Sequence, residues 1–132
     1  MKRWVHWSLG AIDEPALNAA IEVSPEAGAV LVFVGRVRGQ EAGREIVALE
    51  YECFQPMAER QFHLLLDQIA AQWPIESIRL VHRIGRVPIN EVSLWVEVIA
   101  PHRGEAFTAC QWLIDEMKRV VPIWKKPVLR TP

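Results

Sequence analysis

The chain has 132 residues, 51% of them hydrophobic and 23% charged, with a formal net charge of −1. That is enough for one folded domain with a real core, and it excludes a disordered chain and a general polyanion binder, so nucleic acid is not expected as a partner. The two cysteines, Cys53 and Cys110, lie far apart in apolar contexts without metal-ligand spacing, which reads as buried, reduced thiols and no metal site.

The opening "MKRWVHWSLG" has a basic start but no apolar h-region, and no apolar run reaches the roughly 20 residues that span a bilayer. A cytoplasmic protein without a membrane partner is therefore expected. "RWVHWSL" (3–9) predicts a first short strand. Asp13 can cap a helix with Pro15 in its first turn and Leu17, Ala20 and Ile21 as its apolar stripe, and Ser24-Pro25 stops it. "GAVLVFVGRVR" (28–38) is nearly all apolar and β-branched, the pattern of a central strand buried on both faces. The polar loop "GQEAGRE" (39–45) leads into "IVALEYECF" (46–54), which alternates with Val47, Leu49, Tyr51 and Cys53 on one face and predicts a hairpin with the preceding strand.

Pro56 opens a second helix carrying Phe62, Leu65, Leu66, Ile69, Ala70 and Trp73 at helical spacing, ended by Pro74. Strands are predicted over 77–85 and 91–100, joined by a turn at Pro88-Ile89-Asn90. A third helix runs from about Gly104 to Val121 with Ala106, Phe107, Cys110, Leu113, Ile114, Met117 and Val121 as its stripe. The order β-α-β-β-α-β-β-α argues a single α+β domain over 1–132, with helices packed on a mostly antiparallel sheet. Residues 121–132 form a short C-terminal segment carrying lysines.

Three stretches could carry chemistry. In "APHRGEAF" (100–107), His102 and Arg103 sit beside the free N–H groups of a helix N-terminus, a setting for a phosphate; equally, His102 could pack and Arg103 be solvated. In "GRVRG" (35–39), Arg38 leaves an apolar strand for a flexible loop, where binding groups are often carried; the plainer reading makes Arg36 and Arg38 the outward residues of a strand end. In "IDEMKRVVPIWKKP" (114–127), Lys118 and Arg119 suit a helix C-terminus, but Lys125 and Lys126 follow Pro122 and are not explained by the helix dipole. Cations held close together disfavour protonation of one another, a route to a reactive lysine.

Arg103 and Lys118 are 15 residues apart on one predicted helix, hence roughly 22 Å at 1.5 Å rise per residue. If these groups form one site, His102 and Arg103 must come from a second copy across a two-fold interface. His82 falls in register with Ile78, Leu80 and Ile84 and reads as a satisfied core or interface histidine. His6 and His63 have no partners at metal spacing. Six tryptophans read as core or interface anchors, although a pterin or nucleobase could stack on one. No G-x-G-x-x-G, P-loop, H-E-x-x-H or nucleophile elbow is present.

Taken together, "GAVLVFVGRVRG", "ALEYECFQPMAE", "WPIESIRLVHRIGRVPINEVSLWVEVIAPHRGEAF" and "CQWLIDEMKRVVPIWKK" resemble the molybdopterin synthase catalytic (large) subunit family over about residues 27 to 126. The resemblance implies a hammerhead-type α+β homodimer, each copy binding a small ubiquitin-like sulfur carrier to give a heterotetramer. It implies that the carrier's C-terminal Gly-Gly thiocarboxylate enters a pocket and that two sulfurs pass to cyclic pyranopterin monophosphate, with no cofactor or metal. Lys118 and Lys125 match catalytic positions. Arg38 and Lys125, with His102 and Arg103 from the neighbouring copy, match positions around the pyranopterin and its phosphate. Pro127, where many relatives carry an acidic residue, and the early stop at Pro132 are departures that bear on carrier binding and pocket closure. A non-catalytic anion-binding regulatory module is the alternative class. Single-strand RNA binding is disfavoured by the near-neutral charge and the lack of an RNP1-like run.

Overall fold

The most deeply buried strand of the molecule is β7 (Val92–Ala100), in which every residue from Ser93 to Ala100 is buried. The computed structural model describes residues 1–131. Around β7 the first sheet takes the order β1-β5-β7-β2, with β1 (Lys2–Ser8), β5 (Ser77–Arg83) and β2 (Ala29–Arg36). Only β1 and β5 run parallel; the other two pairings are antiparallel, as the mostly antiparallel expectation requires.

One face of this sheet receives α2 (Gln55–Gln72) and α3 (Arg103–Val120). Phe62, Ile69, Ile78, Val96, Val98 and Leu113 meet there with no solvent exposure, as the helical stripes predict, whereas Phe107, expected in the stripe of α3, is exposed. On the other face β7 presents Trp95 and Glu97. Glu97 pairs with Arg79 at 2.6 Å, the Arg79 guanidinium lies 4.9 Å from the Trp95 ring centre, and it also donates to the Leu17 carbonyl at 2.8 Å. That last bond holds α1 (Glu14–Ala19) near the sheet. Asp13 caps α1 as expected, its Oδ1 accepting from the Ala16 N–H at 3.1 Å.

A second sheet forms on β4 (Arg44–Cys53), flanked by β3 (Gln40–Glu41), β6 (Gly85–Pro88) and β8 (Ile123–Leu129). Its own small core is Val37, Ile46, Leu49 and Val87. Three strands were not expected: β3, β6 and β8. The C-terminal segment 121–132, expected only as a short stretch carrying lysines, forms a strand: 123–129 pairs with β4 in the register Tyr51↔Lys125 and Cys53↔Ile123. Pro132, the last residue of that segment, lies outside the described residues.

Two further expectations are corrected. The hairpin between 28–38 and 46–54 does not form: β2 pairs with β7, and β4 pairs with β3, β6 and β8. The register of β2 shifts at Gly35/Arg36, and Val37 then bonds Glu91 and Asn90, so the chain leaves the first sheet for the second core. Nor is β2 central. It is an edge strand, with Val30 and Phe33 exposed, and the doubly buried role belongs to β7 and β5. No helix among the described residues is long and apolar enough to cross a membrane.

Candidate active site

A cavity of about 440 Å³ opens where the two sheets meet the C-terminal end of α3. The exit of β2 brings Arg36 and Arg38 to it, β3 brings Glu41, β4 Tyr51, β5 His82, α3 Lys118, and β8 Lys125. Arg38, Lys118 and Lys125, proposed from three separate stretches of sequence, therefore line one space.

Local structure explains which cations arrive and which do not. Strand alternation in β8 sends Lys125 and Lys126 to opposite faces, and only Lys125 lines the cavity. On α3, Lys118 sits beside buried Met117 and half-buried Ile114 and reaches the cavity, whereas Arg119 turns to Glu116 at 2.8 Å on the outside. Likewise Val37 is buried while Arg36 and Arg38 on either side of it face outward. The cluster of four cations in the sequence thus divides into two site lysines and two surface charges.

His102 and Arg103 are not in this cavity. They open α3, and Lys118 stands near its other end. His102 is 80% exposed, and the Glu105 carboxylate folds back to accept from its backbone N–H at 3.2 Å and lies 3.5 Å from its Nδ1. The helix N-terminus is thus partly occupied by the protein's own carboxylate, which weakens it as a free-standing anion site. A close backbone approach fixes this corner: Gly28 donates to the Ala100 and Pro101 carbonyls, and a Cβ at Gly28 would stand 2.5 Å from the Pro101 oxygen.

Two further groups line the cavity that the sequence does not mark as site residues. Glu41 stood in a loop of turn-forming residues, but Ala42 and Gly43, with φ of 52° and 77°, close a tight hairpin that holds it at the rim. Its Oε1 is 3.1 Å from Lys125 Nζ. His82, expected as a satisfied core or interface histidine, is buried. It packs edge-on against Tyr51 (5.1 Å between centroids) and donates from Nδ1 to the Arg83 carbonyl at 2.8 Å, yet it also forms part of the cavity wall. Burial pushes its pKa down, an effect the hydrogen bond to Arg83 only partly opposes.

A larger hollow of about 520 Å³ lies between α1 and the outer face of β1 and β5, stacked with Trp4 and His6. Its one guanidinium, Arg79, is already held by Glu97. Both cysteines are free; burial raises the pKa of Cys53 and pushes that of Cys110 up to about 11, so both stay protonated thiols at neutral pH.

The family model described as MoaE protein matches residues 10–120 of this sequence. The chain belongs to the MoaE protein family. A family relative from Nostoc sp., called molybdopterin synthase catalytic subunit, is 44% identical over 75% of this chain and 61% of its own length. One from Staphylococcus carnosus with the same name is 42% identical over 80% of this chain and 71% of its own. A rat relative of that name is matched over 53% of its length, so the chain spans little more than half of several relatives. Among solved structures, molybdopterin synthase from Staphylococcus aureus superposes with a TM-score of 0.85 at 33% identity, over 96% of this chain and 91% of that one. A MoaE protein from Burkholderia ambifaria gives a TM-score of 0.82 at 28% identity, over 98% of this chain and 90% of that one.

Proposed function

We propose that the chain is the catalytic subunit of a molybdopterin synthase, a sulfurtransferase that converts cyclic pyranopterin monophosphate into the dithiolene of molybdopterin. In this reading a small ubiquitin-like carrier supplies the sulfur from a C-terminal Gly-Gly thiocarboxylate. The observation that carries it is the convergence of Arg38, Lys118 and Lys125 on one cavity from three different elements. Both reactants are anions, and the whole chain is nearly neutral, so the positive charge is spent locally.

The chemistry asks for little beyond what the cavity holds. The attacking sulfur comes with the carrier; the protein must place it, stabilise developing anions and move protons as oxygen groups leave. Lys118, beside the apolar wall of Met117 and Ile114, is the catalytic lysine, and Lys125 works with it from β8. Arg38 and Lys125 hold the pyranopterin and its phosphate.

His102 and Arg103 complete the site from the neighbouring copy of a homodimer, since they and Lys118 lie roughly 22 Å apart along α3. The exposed Val30 and Phe33 on edge strand β2, and Phe107 one turn beyond Arg103, are apolar surface suited to that contact. With a carrier on each copy the assembly is a heterotetramer, working in the cytoplasm. A purely regulatory anion-binding module would use the N-terminus of α3, where Glu105 already competes.

The test mixes the protein with thiocarboxylated carrier and pyranopterin monophosphate and assays the dithiolene product. Lys118→Ala is expected to lower turnover at least about a hundredfold, the scale of losing a positioned proton-transfer or charge-stabilising group, with an unchanged melting temperature. Normal turnover in that variant would remove the catalytic assignment.

A further inference from the structure

The charged wall of the cavity is made almost wholly of donors. Arg36, Arg38, Lys118 and Lys125 can give hydrogen bonds but cannot accept them, and the one carboxylate, Glu41, is already paired with Lys125. A ligand held only by such a wall is read as an anion and nothing more. A heterocycle or polyol bearing N–H or O–H groups also needs an acceptor, and leaving such a donor unpaired in a partly desolvated site costs affinity.

His82 meets that need. A carbonyl oxygen can only accept, so the 2.8 Å contact with the Arg83 carbonyl requires the proton on Nδ1 and leaves Nε2 as a lone-pair acceptor. The bond from Nδ1 is the one side-chain hydrogen bond His82 makes among the described residues. The ring cannot readily turn away: Tyr51 stands edge-on at 5.1 Å, Trp7 lies at 6.1 Å, and the residue is only 4% exposed. Two hydroxyls, those of Tyr51 and Ser93, also line the cavity and can donate or accept, Ser93 Oγ donating to the Gly35 carbonyl at 3.3 Å, whereas Nε2 can only accept. We propose that His82 is a specificity-determining residue of this cavity, its Nε2 accepting a hydrogen bond from an N–H or O–H group of the bound heterocycle while the cations take the anionic end.

This deepens the reading given under Proposed function and rests on it. The closing experiment measures binding of pyranopterin monophosphate and of sulfate, by calorimetry, to the full chain and to His82→Ala and His82→Gln. Sulfate has no donor and reports on the cations alone. In His82→Ala the pyranopterin is expected to bind about tenfold more weakly, the cost of one lost hydrogen bond, with sulfate affinity unchanged. In His82→Gln, whose side-chain oxygen can occupy the place of Nε2, most of the affinity returns. In turnover assays the alanine variant shows the loss in KM rather than in kcat. Equal pyranopterin affinity in all three proteins overturns this inference alone. Parallel loss of sulfate binding with an unchanged melting temperature also overturns it, because His82 would then support the cations and not the heterocycle. If the unaltered chain fails to bind the pyranopterin, the functional reading falls first and takes this inference with it.

Discussion

The Glu41–Lys125 contact sets how much positive charge the cavity offers. Lys125 is 52% exposed, so at 3.1 Å the pair is screened and stabilises the fold by no more than about 1 kcal/mol. Its effect on an incoming anion is larger in proportion, because the ligand must compete with Glu41 for the same ammonium. Glu41→Gln is therefore expected to tighten sulfate binding by about threefold and to leave the urea midpoint nearly unchanged. Weaker sulfate binding would mean instead that Glu41 aims Lys125 and does not compete for it. His82 adds a pH dependence at the same scale. Its folded pKa lies below the ordinary 6.5, so between those two values the unfolded chain holds the extra proton. Stability contributed by the neutral ring is fully present above about pH 6.5 and declines as the pH falls towards the folded value. Denaturation midpoints at pH 7.5 and pH 5.0 should fall further apart for the native chain than for His82→Gln; equal spacing in the two proteins would count against it.

Local patterns made the elements legible at the level of helices and long strands, but not their partners. The stripes through Phe62–Ile69 and Ala106–Met117 place both large helices, and Pro56, Pro74 and Pro122 mark their bounds within a residue or two. Continuous apolar character in 28–38 suggested a central strand, yet β2 is at an edge; periodicity reports apolar faces and not what covers them. The strand β8 was invisible for a different reason. "IWKKPVL" contains two lysines and a proline, a composition that argues against a buried strand and is tolerated here because β8 is an outer strand with its lysines exposed. The site followed the same division. Arg38, Lys118 and Lys125 stood out because charge interrupts an apolar context. His82 and Glu41 did not, because their importance depends on a cavity closed by residues distant in sequence, Lys118 for His82 and Lys125 for Glu41. Pro127 pairs opposite Leu49 within β8 and does not line the cavity.

At the scale of the whole molecule, the decisive quantity is the length of α3. A rigid rod that opens with Arg103 and carries Lys118 on its fifteenth following position cannot bring both to one small ligand, whatever the side-chain rotamers. Either the two ends serve different purposes, or two copies meet so that the start of one α3 approaches the end of the other. The alternatives differ in a mixing experiment. Lys118→Ala and Arg103→Ala are each expected to be nearly inactive alone. Unfolded together in equal amounts and refolded, they give about half mixed dimers, and in a two-fold assembly with shared sites each mixed dimer has one site carrying both substitutions and one carrying neither. Activity should then return to about one quarter of the unsubstituted level. If both groups acted within the same copy, every site in the mixture would hold one defect and nothing would return. If Arg103 served no site at all, Arg103→Ala would be active from the start.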